Sequence, residues 1–150
     1  MYTLKKKLYD ACVDFVNKRE ETIHQIISSN QKALLSETKS SAGDKHETGR
    51  AMLQLEMEKA SQQLAGISQM KMTLAKIRLE GTSDVVKLGS LITTNEANYF
   101  LAISAGQLTI SDTSYYAISP SSPIGKLLLG KAKNNGLYFN DKRVFIQEVY

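Results

Sequence analysis

The sequence predicts an α+β fold, in which a long antiparallel helical hairpin of the coiled-coil type precedes a small antiparallel sheet domain with one short helix. The chain has 150 residues, 42% hydrophobic and 23% charged, which is the composition of a globular protein. Residues 1–80 lack proline and are rich in helix formers, whereas residues 81–150 hold both prolines and most of the aromatic residues. The polar segment 80–84 is typical of a helix stop and linker, so we predict domains at 1–80 and 84–150.

Two series of apolar residues recur at helical spacing in the first domain. The first series is Leu4, Leu8, Cys12, Phe15, Ile23, Ile26 or Ile27, and Leu34, with gaps at Arg19 and Asn30. The second series is Leu53, Met57, Ala60, Leu64, Ile67, Met70, Leu74 and Ile77. They predict helices near 2–36 and 47–79, with residues 37–46 at or near the tip of the hairpin. At 1.5 Å per residue each arm is about 45 Å long, so we expect much of it to project as a thin finger.

The second domain shows the short, turn-bounded apolar runs that are typical of strands. The predicted strands are 85–93, 99–104, 107–111, 115–118, 137–139 and 143–149, with a hairpin turn at Asn140-Asp141. A short helix is predicted over 122–130. Ser122 suits its N-cap, Pro123 its first helical position and Gly130 its end.

The composition also indicates where the chain is expected in the cell and which partners its charge permits. No run of 18 apolar residues exists, and residues 1–15 do not resemble a secretory signal, so neither a membrane span nor secretion is expected. The single cysteine, Cys12, cannot form an internal disulfide, which favours a cytoplasmic location. The net charge of +4 permits an acidic partner without indicating a particular one.

The segment from Gly43 to Glu47, at the predicted tip, has two interpretations. Asp44 and Glu47 are three residues apart, which is the spacing of a helix N-cap and the third helical residue. The same spacing places two carboxylates on one helix face, where they could bind a hard divalent cation such as magnesium. Lys39, Lys45 and Arg50 flank the pair and could meet a phosphate backbone.

Other candidates favour ordinary structural roles. His46 suits a solvated helix end, His24 lies beside the apolar series at the surface, and Cys12 lies on the series and is expected to be buried. A Cys-His-His condensing enzyme is rejected, because Cys12 is on a hairpin helix and both histidines would lie far from any core of sufficient size. The sequence contains no phosphate-binding Gly-Lys-Ser/Thr loop, no zinc-ligand spacing and no Gly-x-Ser-x-Gly elbow.

Residues 118–131, with the sequence ISPSSPIGKLLLGK, resemble the signature of the GreA/GreB transcript-cleavage factors. That family has Ile-Ser-x-x-Ser-Pro-aliphatic-small-basic-x-Leu-aliphatic-Gly-Lys in an FKBP-like C-terminal domain, after an antiparallel helical hairpin. Its hairpin tip has Gly-Asp-x-x-Glu, which Gly43, Asp44 and Glu47 match here. The resemblance therefore extends over nearly the whole chain and is densest in residues 118–131.

The resemblance implies an accessory protein, which is not itself an enzyme. It would bind bacterial RNA polymerase through the secondary channel and promote cleavage of backtracked RNA. Asp44 and Glu47 would then be the catalytic and metal-binding residues. They would bind no cofactor alone but would share a magnesium ion with the polymerase active site, and would act on the nascent RNA 3′ end indirectly. Ser122 and Pro123, with Lys39, Lys45 and Arg50, would contact the polymerase.

The chain departs from the family pattern after Glu47, where Thr48-Gly49-Arg50-Ala51 replaces the usual Asn-Ala-acid-Tyr. A third tip acid and a tyrosine are therefore missing. This leaves open a secondary-channel regulator that does not stimulate cleavage. An FKBP-type prolyl isomerase or chaperone is the third interpretation, although the chain has no tryptophan for the usual pocket floor. The fourth, a plain coiled-coil adaptor, leaves the signature at 118–131 unexplained.

Overall fold

The computed structural model describes residues 1–39 and 43–150, and the side chains of residues 1–36 and 47–150. Two long packed helices precede a six-stranded mixed sheet with one short helix, which confirms the predicted α+β class. The elements are α1 (Tyr2–Lys39), α2 (Gly43–Ala75), β1 (Leu91–Thr94), β2 (Asn98–Leu101), β3 (Gly106–Ile110), β4 (Thr113–Ile118), α3 (Pro123–Leu128), β5 (Gly136–Phe139) and β6 (Lys142–Val149).

The chain divides into two compact units. One unit comprises Met1–Phe15 together with Lys71–Tyr150, and the other comprises Val16–Met70. The beginning of α1 and the end of α2 therefore belong to the same unit as the sheet. The domains expected at 1–80 and 84–150 rest on a change in composition and stay a prediction.

The long helices form where helix-favouring residues carry an apolar stripe. Leu8, Cys12, Val16 and Ile23 are buried along α1, at intervals of four and seven residues. On α2 every member of the predicted series from Leu53 to Leu74 is buried or half-buried. Between Leu53 and Ile67 the intervals alternate between four and three, which is the 3.5-residue period of a coiled coil. Ile27 is half-buried and Ile26 is exposed, which settles the alternative that spacing left open.

Asn30 occupies a gap in the first apolar series, and its side chain is only 8% exposed. Its Nδ2 atom has no hydrogen-bond partner among the described residues. A buried amide without a partner costs about 1–3 kcal/mol of desolvation. Asn30 therefore makes the helical hairpin less stable than an apolar residue of similar size would at the same position.

We expect Asn30→Leu to raise the free energy of unfolding by about 1–2 kcal/mol, because the exchange removes the unpaired amide and extends the apolar series. Urea unfolding followed by circular dichroism at 222 nm would measure the change. Asn17→Leu is the matched control, since Asn17 lies on the same helix and is exposed, and it should stay within about 0.5 kcal/mol of wild type. A loss of stability on Asn30→Leu would show that the amide is satisfied in solution.

The base of the helical hairpin, where α1 begins and α2 ends, is joined to the sheet unit by a hydrogen bond. Lys5 Nζ donates a hydrogen bond to the Tyr150 carbonyl oxygen at 3.3 Å. The Tyr9 hydroxyl donates to the Leu74 carbonyl oxygen at 3.2 Å, which joins the two helices. Lys5 is buried, and this burial, with a smaller effect of Lys87, lowers the pKa of its amine. Leu91 and Phe100 are fully buried cross-strand partners on β1 and β2.

Cys12 is fully buried in the same base, and burial raises the pKa of its thiol from 9.0 to about 12. The folded chain therefore keeps the thiol proton between about pH 9 and pH 12, where the unfolded chain loses it. Stability contributed by the neutral thiol is complete below pH 9 and falls as the pH rises through that window. The predicted burial of Cys12 is confirmed.

From this shift we expect wild type to lose about 1.4 kcal/mol more stability than Cys12→Ala between pH 8 and pH 10. Urea unfolding of both proteins at the two pH values measures the difference, because groups common to both proteins cancel. An equal loss in the two proteins would mean that Cys12 is accessible to solvent in the folded state.

The sheet has the strand order β3-β4-β2-β1-β6-β5. All neighbouring pairs are antiparallel except β2 and β4, which are parallel. The expectation of a purely antiparallel sheet is therefore wrong for this pair. The reason is tertiary: β3 lies outside β4, so the chain crosses over before β4 pairs with β2. The short helix α3 covers one face of the sheet, where Ile124 and Leu128 join a core with Ile92, Leu101 and Val144.

Turn chemistry explains most strand ends. Asn140 and Asp141 have φ values of 51° and 61°, and Ser111 and Asp112 have 49° and 64°, as two-residue hairpin turns of type I′ require. The first predicted strand, 85–93, is wrong over its first half. Gly89 has a φ of 91°, which breaks the extended backbone, and β1 begins only at Leu91.

Candidate functional site

The acidic pair lies within the first two turns of α2, so the interpretation of Asp44 as the helix N-cap is wrong. The helix begins at Gly43, so the backbones of Asp44 and Glu47 are helical and three residues apart, which places them on one helix face. The Glu47 side chain is exposed, as is that of Arg50 one turn further along. The side chains of Asp44, Lys39, Lys45 and His46 lie outside the described residues.

The environment of the helix start favours negative charge. The N-terminus of a helix has unpaired amide groups and the positive end of the helix dipole, and both stabilise carboxylates. Carboxylate oxygens are also the hard ligands that magnesium prefers, but a magnesium ion takes only one or two of them from a protein and completes its shell elsewhere. Within the described residues no group of three or more His, Cys, Asp or Glu side chains could hold a metal ion. Two carboxylates would supply only part of a magnesium coordination shell.

The second candidate region is the turn that leads into α3. Ser122 is the N-cap, and its Oγ accepts a hydrogen bond from the Gly125 amide at 3.1 Å. The same hydroxyl donates to the Ser119 carbonyl oxygen at 2.6 Å. Pro123 follows at the start of the helix and is exposed. The predicted N-cap and helix start are confirmed, and the Ser122 hydroxyl is used within the turn.

The turn before α3 requires a residue without a side chain at position 125. A Cβ atom at this position would lie 2.0 Å from the Ser119 carbonyl oxygen and 2.8 Å from Ser122 Oγ. The hydrogen-bonded turn therefore closes only over glycine. The order Ser119, Ser122, Pro123, Gly125 is a structural unit that presents Pro123 in a fixed position.

Exposed apolar side chains beside this turn were not expected from the sequence. Leu127 and Leu129 are exposed on either side of the buried Leu128, and Val85 is exposed where it bridges to Ala132. A run of three leucines at 127–129 in a short helix contains the signal, since one helix face cannot bury all three. We name these exposed side chains, together with that of Pro123, the α3 surface, and Lys126 on α3 adds a positive charge.

The two candidate regions belong to different compact units. Glu47 and Arg50 lie in the unit Val16–Met70, and Ser122 and Pro123 lie in the unit that contains the sheet. The structure therefore assigns the acidic pair and the α3 surface to separate parts of the chain.

A comparison with known protein-family models and a comparison with curated proteins each found no match for this chain. None of the helices within residues 1–39 and 43–150 has both the length and the apolar character that crossing a membrane requires. Any assignment of function therefore rests on the residues and their geometry.

Proposed function

We propose that this chain is a Gre-like transcription elongation factor. It is a cytoplasmic accessory protein that binds bacterial RNA polymerase through its secondary channel and promotes cleavage of backtracked RNA. The polymerase performs the hydrolysis. The chain supplies Asp44 and Glu47 to the polymerase active site and acts on the RNA 3′ end through that site.

The observation that carries the proposal is the position of the acidic pair in the helical hairpin. The helix α1 has 38 residues and α2 has 33, so the arms extend roughly 57 Å and 50 Å. The chain passes from one helix to the other between Lys39 and Gly43, and Asp44 and Glu47 follow at once. Carboxylates at the turn of such a hairpin could reach an active site at the end of a narrow channel.

The helix α3 region supports the second half of the proposal. The resemblance to the GreA/GreB signature is densest in residues 118–131. In this region Gly125 lies so close to the Ser119 carbonyl oxygen that only glycine fits. The same region carries the exposed apolar side chains of the α3 surface. Contiguous exposed apolar side chains are typical of protein interfaces. The α3 surface is the part of the sheet domain that we assign to polymerase binding, and Pro123 and Leu129 are the two residues that we test.

Magnesium fits the residues that would share it. Glu47 is exposed and lies within the first two turns of α2, and Asp44 is on the same helix face. Two neighbouring carboxylates repel each other and offer too few ligands, so the chain alone should bind the ion weakly. In the polymerase a shared ion would stabilise the attacking and leaving oxygens of the cleaved phosphodiester. The chain's own part is to hold two carboxylate oxygens in place.

One observation favours a second function. Arg50 is exposed one turn after Glu47, where the resembled family has an acid, and it adds a positive charge to the helix end. A secondary-channel regulator that binds the polymerase without stimulating cleavage is therefore the alternative. A prolyl isomerase of the FKBP type is less well supported, since that activity has no use for the long helices.

The experiment uses purified bacterial RNA polymerase and stalled elongation complexes with end-labelled RNA. Wild-type protein should bind the polymerase and speed cleavage of the backtracked RNA. Pro123→Ala combined with Leu129→Asp should weaken binding by at least about tenfold (~1.4 kcal/mol) while leaving the circular dichroism spectrum unchanged. Ser122 is left unchanged, since its hydroxyl holds the turn. Binding without cleavage would establish the regulator, and no binding to the polymerase would exclude both functions.

A further inference from the structure

The face of the β5–β6 hairpin that points away from the α3 core carries two exposed aromatic rings. Tyr138 pairs directly with Arg143 across the strands, and Gly136 pairs with Phe145. Direct cross-strand partners share a face, and so do residues two apart on one strand, so Tyr138, Arg143 and Phe145 lie on one side. We name these three residues the aromatic face. Leu137 and Val144, on the opposite side, are buried in the core.

The rings of the aromatic face are not part of a core. The Tyr138 side chain is 69% exposed and that of Phe145 is 41% exposed, the first being the largest exposure of any large apolar residue in the described chain. The smaller exposure of Phe145 follows from its neighbours, since it lies against Gly136 and beneath the Arg143 guanidinium. Large aromatic side chains exposed together on a strand pair are costly in water and indicate a ligand.

The charge of this face is positive and unpaired. The Arg143 guanidinium lies 4.8 Å from the centre of the Phe145 ring, a cation–π arrangement that holds it over the face. Arg143 makes no ion pair within the described residues. Lys142 is on the other face of β6, where its Nζ atom lies 3.9 Å from a Glu96 carboxylate oxygen. The three face residues and Gly136 include no acid, so the complementary ligand is an anion.

The backbone under the aromatic face is fixed. Asn95, in the turn after β1, accepts a hydrogen bond from the Phe145 amide at 2.7 Å through its side-chain oxygen. Its side-chain amide donates to the Arg143 carbonyl oxygen at 3.2 Å, and its backbone amide donates to the Phe145 carbonyl oxygen at 3.3 Å. These three bonds hold the strand that carries Arg143 and Phe145, so a ligand would meet a preorganised surface.

We propose that the aromatic face binds single-stranded nucleic acid, with bases stacked on Tyr138 and Phe145 and a phosphate held by Arg143. Diagonal neighbours on adjacent strands are about 7–8 Å apart, within the reach of successive unstacked nucleotides. Every base has a π face that can stack on an aromatic ring. Every phosphodiester linkage has a negative charge that can pair with the Arg143 guanidinium. An acidic peptide would form an ion pair with Arg143 but need not supply a ring that stacks on Tyr138, the most exposed aromatic residue of the face. This proposal goes beyond the polymerase function and does not depend on it.

The test measures binding of fluorescein-labelled oligo(U) and oligo(dT), twelve nucleotides long, by anisotropy at low salt. We expect Tyr138→Ala and Phe145→Ala each to weaken binding by about tenfold, which lies within the range for one stacked base. Arg143→Ala should reduce the slope of log K against log salt by about 0.7, because one phosphate contact is lost. The matched control is Tyr2→Ala, since Tyr2 is also about half exposed but lies on α1.

Circular dichroism and urea unfolding of each variant would show that the variant is folded, so that weaker binding is not caused by unfolding. Phe145→Leu is the second variant at that position, since it keeps the apolar contact with Gly136 and removes only the stacking surface. The proposal is overturned if wild type does not bind the oligonucleotides, or if the aromatic variants bind as wild type does. It is also overturned if an acidic peptide displaces the oligonucleotide and loses affinity equally on Tyr138→Ala, which would make the face a protein-binding surface.

Discussion

Asp44→Asn and Glu47→Gln should each reduce stimulation of RNA cleavage by about 100-fold while polymerase binding survives. Both exchanges keep the size and shape of the side chain and remove the negative charge, so they separate metal coordination from fit in the channel. The proposed role of the pair is to supply oxygens to a magnesium ion whose stabilisation matters most in the transition state. A 100-fold loss corresponds to about 2.7 kcal/mol of transition-state stabilisation. Rates of cleavage in stalled elongation complexes measure the effect.

The matched control for the acidic pair is Glu58→Gln, an exposed acid further along α2, which should cleave as wild type does. Arg50→Glu provides a gain-of-function arm, because it restores an acid one turn after Glu47 and removes a positive charge from the helix end. We expect it to increase the rate of RNA cleavage, most clearly if the wild-type protein stimulates cleavage only weakly. A wild type that binds but does not cleave, unchanged by Arg50→Glu, would leave the carboxylates without a role in magnesium coordination.

Gly125→Ala should destabilise the sheet domain by about 3 kcal/mol, the upper part of the range for an overpacked site. The added Cβ would lie 2.0 Å from the Ser119 carbonyl oxygen, which is backbone and cannot move away without breaking the turn. It would also lie 2.8 Å from Ser122 Oγ, so the N-cap of α3 would be lost with it. Urea unfolding measures the change, and polymerase binding should weaken in parallel because the turn presents Pro123.

The control for Gly125 has the opposite expected sign. Gly66 lies inside α2, and an added Cβ there meets no atom within 4 Å. Gly66→Ala should therefore stabilise the chain by about 1 kcal/mol, the difference between glycine and alanine in a helix. If the two exchanges had similar effects, the close contact at Gly125 would not exist in solution.

Local sequence signals determined the fold class and most elements. The 3.5-residue apolar period predicted the helical hairpin, and the Ser-Pro and Gly positions predicted both ends of α3. The Asn140-Asp141 turn between two apolar runs predicted the β5–β6 hairpin. These signals succeed because helix caps, tight turns and amphipathic faces depend on residues that are neighbours in the chain. The acidic pair was also found this way, since its two members are one helical turn apart.

Contacts between distant residues were decided only by the tertiary structure. The parallel pairing of β2 with β4 depends on where β3 is placed, and the burial of Asn30 depends on how the two long helices pack. The close contact between Gly125 and Ser119 depends on how the turn before α3 closes. The aromatic face depends on the register of β5 and β6, which puts Tyr138, Arg143 and Phe145 on one side. The sequence contains each of these residues, but strand register and packing bring them together, because a one-residue change of register moves a side chain to the other face.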